Sequence, residues 1–172
     1  MPKPRIRPPT TESRDPVQSS ALAHQPELLG AFTRIYATLW SHGVVDHPTK
    51  EITRLRNARI TDCSFCRNVR FSKARADGLT EELVDEIQDG YRKSEMLTDR
   101  QKAALRFTDA FLRDPASDDA ALRAELLRHF TPEEIVELAA GVALFMGFSK
   151  IAVALGQAPN DMPVLVMPTP EY

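Results

Sequence analysis

Cysteine is scarce in this chain of 172 residues: there are two, too few for a disulfide framework of the kind that holds small secreted domains together. Charge of one sign is also missing. Lys plus Arg number 22 against 24 Asp plus Glu, a formal balance of −2, and this gives no reason to expect a DNA, RNA or anionic membrane partner. Glycine is limited to 7 residues and proline to 13, which excludes a collagen-like or low-complexity polymer. The basic N-terminal stretch has no apolar run behind it, so no secretory signal is expected and the chain reads as cytoplasmic. No repeat of fixed period and no second domain boundary stand out. At this length one domain can remove roughly 70% of its unfolded surface from water, and the fold needs no covalent staples.

What is present reads as helix. Residues 1–20 are proline-rich and are expected as an extended N-terminal arm. Residues 158–172 combine Pro159, Pro163, Pro168 and Pro170 with an apolar run, and are expected as an extended C-terminal arm on the protein surface. Between them, residues 21–157 form the helical domain. Pro26 and Pro48 stand at first-turn positions of two helices. Thr61 or Asp62 is placed to cap a third, beginning with the cysteines and stopping at Gly78. Thr80 caps Glu81 to Gln88, Thr98 caps a run ending before Pro115, and Ser117 caps another. Thr131-Pro132-Glu133-Glu134 joins a capping box to a first-turn proline ahead of a long apolar helix reaching Leu155. A membrane span needs about 20 uninterrupted apolar residues. Lys150 interrupts this run and Glu133, Glu134 and Glu137 flank it, so a buried helix is expected, its small residues suited to close packing or a subunit contact. The fold class is all-α.

Both cysteines fall in one tetrapeptide, Cys63-Ser64-Phe65-Cys66. The spacing fits a dithiol/disulfide redox centre, half of a zinc site, or two small buried side chains. A structural zinc site takes four protein ligands. The chain has no other cysteine, and His24, His42, His47 and His129 are scattered, so no metal is assigned. Redox is favoured, because Asp62, Ser64, Arg67 and Asn68 make a polar setting. Residues three apart share a helix face, and the start of a helix favours thiolate. Helix position singles out Cys63. Arg70, one turn beyond Cys66, is the basic residue singled out from a run (Arg54, Arg56, Arg59, Arg67, Arg70, Lys73, Arg75) that otherwise reads as a solvated face paired with the acidic 81–95 region. Phe107, Phe111, Phe145 and Phe148 are assigned to the core, as are Trp40 and Tyr36, for which lining a substrate pocket is the alternative.

Three phrases carry a resemblance: Lys50-Glu51-Ile52-Thr53-Arg54-Leu55-Arg56-Asn57-Ala58-Arg59, then Cys63-Ser64-Phe65-Cys66, then Ala74-Arg75-Ala76-Asp77-Gly78-Leu79. Over residues 21–155 the chain resembles the carboxymuconolactone decarboxylase/alkylhydroperoxidase D (AhpD)-like family. The resemblance implies a helical subunit that forms dimers, trimers or hexamers and reduces hydroperoxides without a cofactor. It implies Cys66 as the peroxidatic cysteine, Cys63 as the resolving one, Glu51 as a proton-relay carboxylate and a lipoyl-type dithiol protein as reductant. Two positions depart from the pattern. Arg70 stands where the family often has a relay histidine, and Phe65 where some members have another. Guanidinium can stabilise a Cys66 thiolate but cannot return its proton; His47 is the nearest alternative base in sequence. Two other functions fit the same family outline: a cofactor-independent lyase of the decarboxylase type, and a non-catalytic, redox-sensing helical assembly module.

Overall fold

The computed structural model describes residues 5–9, 20–116, 119–156 and 161–172. A short 3-10 turn, Ala21–His24, leads into α1 (Pro26–Ser41) and α2 (His47–Ile60). The segments α3 (Ser64–Asn68), β1 (Val69–Phe71), α4 (Ser72–Ala76) and α5 (Glu81–Asp85) follow. Then come the longer α6 (Asp99–Arg113), α7 (Ala120–His129) and α8 (Pro132–Leu155), with β2 (Leu165–Met167) near the end. Among the described residues the fold is all-α apart from one pair of three-residue strands, β1 and β2, which run parallel with Arg70 opposite Val166.

Several helix starts form where side-chain chemistry places them. Thr98 and Thr131 each close a capping box, with Gln101 and Glu134 as the reciprocal partners, and Thr80 caps α5. Asp46 caps α2 just ahead of Pro48. The predicted cap Ser117 lies outside the described residues; the side chain that caps α7 is Asp119. The predicted single helix from the cysteines to Gly78 is broken. The cap of α3 is neither Thr61 nor Asp62 but Cys63, whose sulfur accepts the Cys66 N–H, and Asp62 adopts a positive φ of 52°. The helix ends at Asn68 because the next three residues are claimed from outside. β2 pairs with them, Arg54 takes the Val69 carbonyl, and Glu51 takes the Phe71 N–H. Helical residues resume at Ser72 and stop before Gly78, whose φ of 99° suits glycine.

The helix buried on every side is α2, despite its polar sequence. From Thr49 to Ala58 each residue is buried, packed between α6 and α8. Ile52 and Leu55 enter a core with Ala74, Leu79, Val84, Ile87 and Leu105. The charges of this buried stretch are answered individually: Lys50 by Glu137 at 3.0 Å, Glu51 by Arg54 at 2.7 Å, and Arg56 by Asp109 at 2.7 Å. By length and composition α8 is apolar enough to cross a bilayer; here it buries Leu138, Val142, Phe145, Ser149 and Ala152 against the bundle. Its other side leaves Val136 69%, Ile151 40% and Val153 41% exposed. Arg5 bonds through its backbone and side chain, and Ile6 through its backbone, to the carbonyls at the end of α8, while the Arg7 carbonyl meets the His24 ring at 2.8 Å.

Candidate active site

Cys63 and Cys66 are joined in a disulfide with their Cα atoms 5.2 Å apart. The two sulfurs sit in unequal surroundings. Cys63 is 1% exposed and packs against Ala58 and Ala152, whereas Cys66, 5% exposed, lines a cavity of about 540 Å³. The cavity walls are largely aromatic and aliphatic: Phe32 and Tyr36 from α1, Phe65 from α3, Phe71 from β1, and Phe145 and Phe148 from α8. One side is closed by residues 167–171 of the C-terminal segment. That segment is held by the strand pair, by Thr169 accepting the Lys73 N–H at 2.9 Å, and by a Lys73–Glu171 ion pair.

Polar groups reach this apolar space at few points. The Ser149 hydroxyl donates to the Cys66 sulfur at 3.3 Å and itself accepts from Asn57 Nδ2 at 3.0 Å. Arg54 lines the cavity and donates to the Cys66 carbonyl at 2.8 Å and the Val69 carbonyl at 2.6 Å. Burial works against its charge, and the charge and hydrogen bonds of Glu51 more than restore it, holding the guanidinium above its ordinary value. Burial pushes the Tyr36 phenol up to about 12, with Arg54 acting in the opposite direction, so the hydroxyl keeps its proton at neutral pH.

The residues singled out from the sequence separate into two groups. Glu51 is fully buried. It grips Arg54 through both carboxylate oxygens, at 2.8 and 2.7 Å, and accepts the Phe71 N–H at 3.0 Å, so its bonds reach the cysteine segment through Arg54. Arg70 does not follow Cys66 along one helix face, because the helix ends between them. Its guanidinium bonds to Glu81 at 3.2 and 2.9 Å and to the carbonyls of Arg67 and Val69. His47 stacks on Trp40 with the rings 4° from parallel and is not among the cavity-lining residues. Trp40 is core as predicted, but Tyr36, Phe145 and Phe148 face the cavity.

The groups missed by sequence reasoning are Arg54, Ser149 and Asn57. Arg54 was readable as the i+3 partner of Glu51 on one helix face. Ser149 gave a fainter sign, a lone hydroxyl in an apolar helix. Among the described residues no cluster of three or more His, Cys, Asp or Glu is arranged to hold a metal ion.

Comparison with known proteins is consistent with this geometry. The sequence pattern of the carboxymuconolactone decarboxylase family matches residues 26–110, spanning α1 through most of α6. The chain belongs to that family. An uncharacterized protein of Mycobacterium tuberculosis is 34% identical over 128 residues, 74% of this chain and 43% of that protein. Uncharacterized protein YnjA of Escherichia coli is 29% identical over 101 residues, 58% of this chain and 54% of its own length. The chain thus spans about half the length of these curated relatives. A crystal structure from Agrobacterium tumefaciens, of unknown function and provisionally ascribed to AhpD-type antioxidant defence, superposes with a TM-score of 0.71 at 26% identity. It covers 91% of this chain and 99% of its own. A peroxidase-related protein from Ralstonia eutropha with an alkylhydroperoxidase AhpD core gives 0.73 at 24% identity, over 85% and 77% of the two chains, which establishes the shared fold.

Proposed function

We propose that this member of the carboxymuconolactone decarboxylase family is a thiol-dependent hydroperoxide reductase. The observation that carries the reading is the asymmetric disulfide: one sulfur, Cys66, lines an apolar cavity, and its partner, Cys63, is packed away behind it. The ascription of the Agrobacterium structure to antioxidant defence supports the same reading.

In the reduced protein the Cys66 thiolate attacks one oxygen of the hydroperoxide. The O–O bond breaks, the alkoxide takes up a proton and leaves as the alcohol, and Cys66 becomes a sulfenic acid. Cys63 then attacks that sulfur; the S–S bond forms and the hydroxyl departs as water with the Cys63 proton. A dithiol, of lipoyl type, reopens the bridge through a mixed disulfide and leaves oxidised. Ser149 supplies the hydrogen bond that favours the Cys66 thiolate, and Arg54 supplies positive charge near the departing alkoxide. Glu51 acts by orienting Arg54, and Arg70 by fixing the turn after Cys66 to Glu81. The aromatic walls suit a hydroperoxide with an apolar body. The exposed apolar side of α8 suits a homo-oligomer contact. A reducing cytoplasm suits a bridge that must be reopened each cycle.

The test is consumption of cumene hydroperoxide with dihydrolipoamide in excess. Cys66→Ser abolishes turnover, and Cys63→Ser stalls after one equivalent. Sustained turnover in both variants overturns the proposal. A double Cys→Ser variant that still converts a small lactone acid would favour the lyase reading instead.

A further inference from the structure

A second concavity, of about 460 Å³, shares no lining residue with the Cys66 cavity. It opens between Arg56 and Arg59 near the end of α2, Arg67 of α3, Gln88 and Asp89 beyond α5, and Arg113 at the end of α6. Four guanidinium groups thus face a lining with a single carboxylate. The rest of the arginine run is answered by acids: Arg56 by Asp109 and Asp89, Arg67 by Asp62 at 3.2 Å, and both Arg70 and Arg75 by Glu81. Arg59 differs. Its Nη1 is buried and has no hydrogen-bond partner. Burial depresses its proton affinity, Asp85 acts against that, and the charges of Arg70, Arg56 and Arg67 add to the depression.

We propose that this concavity binds a phosphate-bearing small molecule through Arg59, Arg67 and Arg113. A buried donor on a cation, among further cations, calls for an oxyanion more than for a neutral acceptor. The planar guanidinium fork matches the oxygens of phosphate two at a time, and phosphate carries more charge per volume than a carboxylate. The volume lies within the roughly 300–1,000 Å³ of small-molecule sites, so a diphosphate or a phosphate ester fits. The one lining acid, Asp89, is already paired with Arg56 at 3.0 Å, and Arg67 is paired with the exposed Asp62 from outside the lining, so Arg59 and Arg113 carry most of the charge offered to the ligand and Arg67 adds to it. This site stands apart from the peroxidase reading and survives if that reading fails.

The test is calorimetric titration of the full chain with inorganic pyrophosphate at low ionic strength, with phenyl phosphate as the ester arm. One saturable site per chain is expected, tightest for whichever class of phosphate the site accommodates. Arg113→Gln, at the exposed end of α6, weakens pyrophosphate binding about tenfold or more, and Arg59→Gln with Arg113→Gln removes it. Pyrophosphate raises the melting temperature of the parent chain but not of the double variant. No saturable heat up to about 10 mM of either probe, or equal affinity in parent and double variant, overturns the proposal. So does a change in sedimentation without a change in pyrophosphate affinity, which would assign these arginines to a carboxylate on a second copy.

Discussion

Replacing Glu51 by Gln isolates the role of the buried carboxylate. The substitution keeps the shape of the side chain but turns one of the two oxygens gripping Arg54 into a donor, facing guanidinium N–H groups that are themselves donors. Arg54 cannot swing out to water, because the carbonyls of Cys66 and Val69 hold it at 2.8 and 2.6 Å. Breaking a buried ion pair from one side costs about 3–5 kcal/mol, and the surviving carbonyl bonds place this case near the lower end, about 3 kcal/mol. For a chain of this size each kcal/mol moves the melting temperature by about 2–4 °C, so a fall of about 6–12 °C is expected. Differential scanning calorimetry on the oxidised forms of both proteins measures it with the disulfide held constant. Adding Arg54→Met to Glu51→Gln should recover part of the loss, since a well-packed apolar side chain leaves no stranded charge. A fall of less than about 2 °C would refute the reasoning: Glu51 would then be a proton carrier with no structural part.

Other outcomes follow from single contacts. Ser149→Ala removes the hydroxyl on Cys66 and should raise the pH midpoint of Cys66 alkylation in the reduced protein by roughly one unit, measured with iodoacetamide. Gly43→Ala would press a methyl group onto Glu137 Oε1, the Leu39 carbonyl (2.5 Å) and Lys50 Nζ (2.6 Å). A loss of about 1–3 kcal/mol in urea unfolding is expected. His47 is held below its ordinary value of 6.5, by burial first and the charge of Lys50 second. The folded state therefore resists its protonation, so this contribution is intact above about pH 6.5 and is lost as the pH falls toward the folded value. Between about pH 7.5 and 5.5 the melting temperature of the parent chain should fall more than that of His47→Gln. Equal falls would remove His47 from the account.

The legible parts of this fold were those decided by neighbours in sequence. Thr98, Thr131 and Thr80 cap helices because the N–H groups they satisfy lie three residues on. The cysteine spacing announced itself for the same reason. What stayed hidden depended on distant partners. Val69–Phe71 has nothing locally against helix; it is extended because β2 lies almost a hundred residues away and because Glu51 and Arg54 reach across to its backbone. That break also turned Arg70 toward Glu81 and left Arg54 as the cation beside Cys66. The burial of α2 was concealed likewise, since Glu137 and Asp109 neutralise Lys50 and Arg56 from other helices.

The three-residue ladder joining β1 and β2 bears on the order of assembly. Helices collapse on contacts near in sequence, but this ladder must close a loop of more than ninety residues and gains little contact in return. The pocket's final side would then be the last piece added during folding and the first to detach in a native-state fluctuation, opening the binding space while the helices stay packed. Amide hydrogens of Val166 and Met167 should exchange long before those of Ile52 and Leu55, so the protein can admit a bulky guest without unfolding its core.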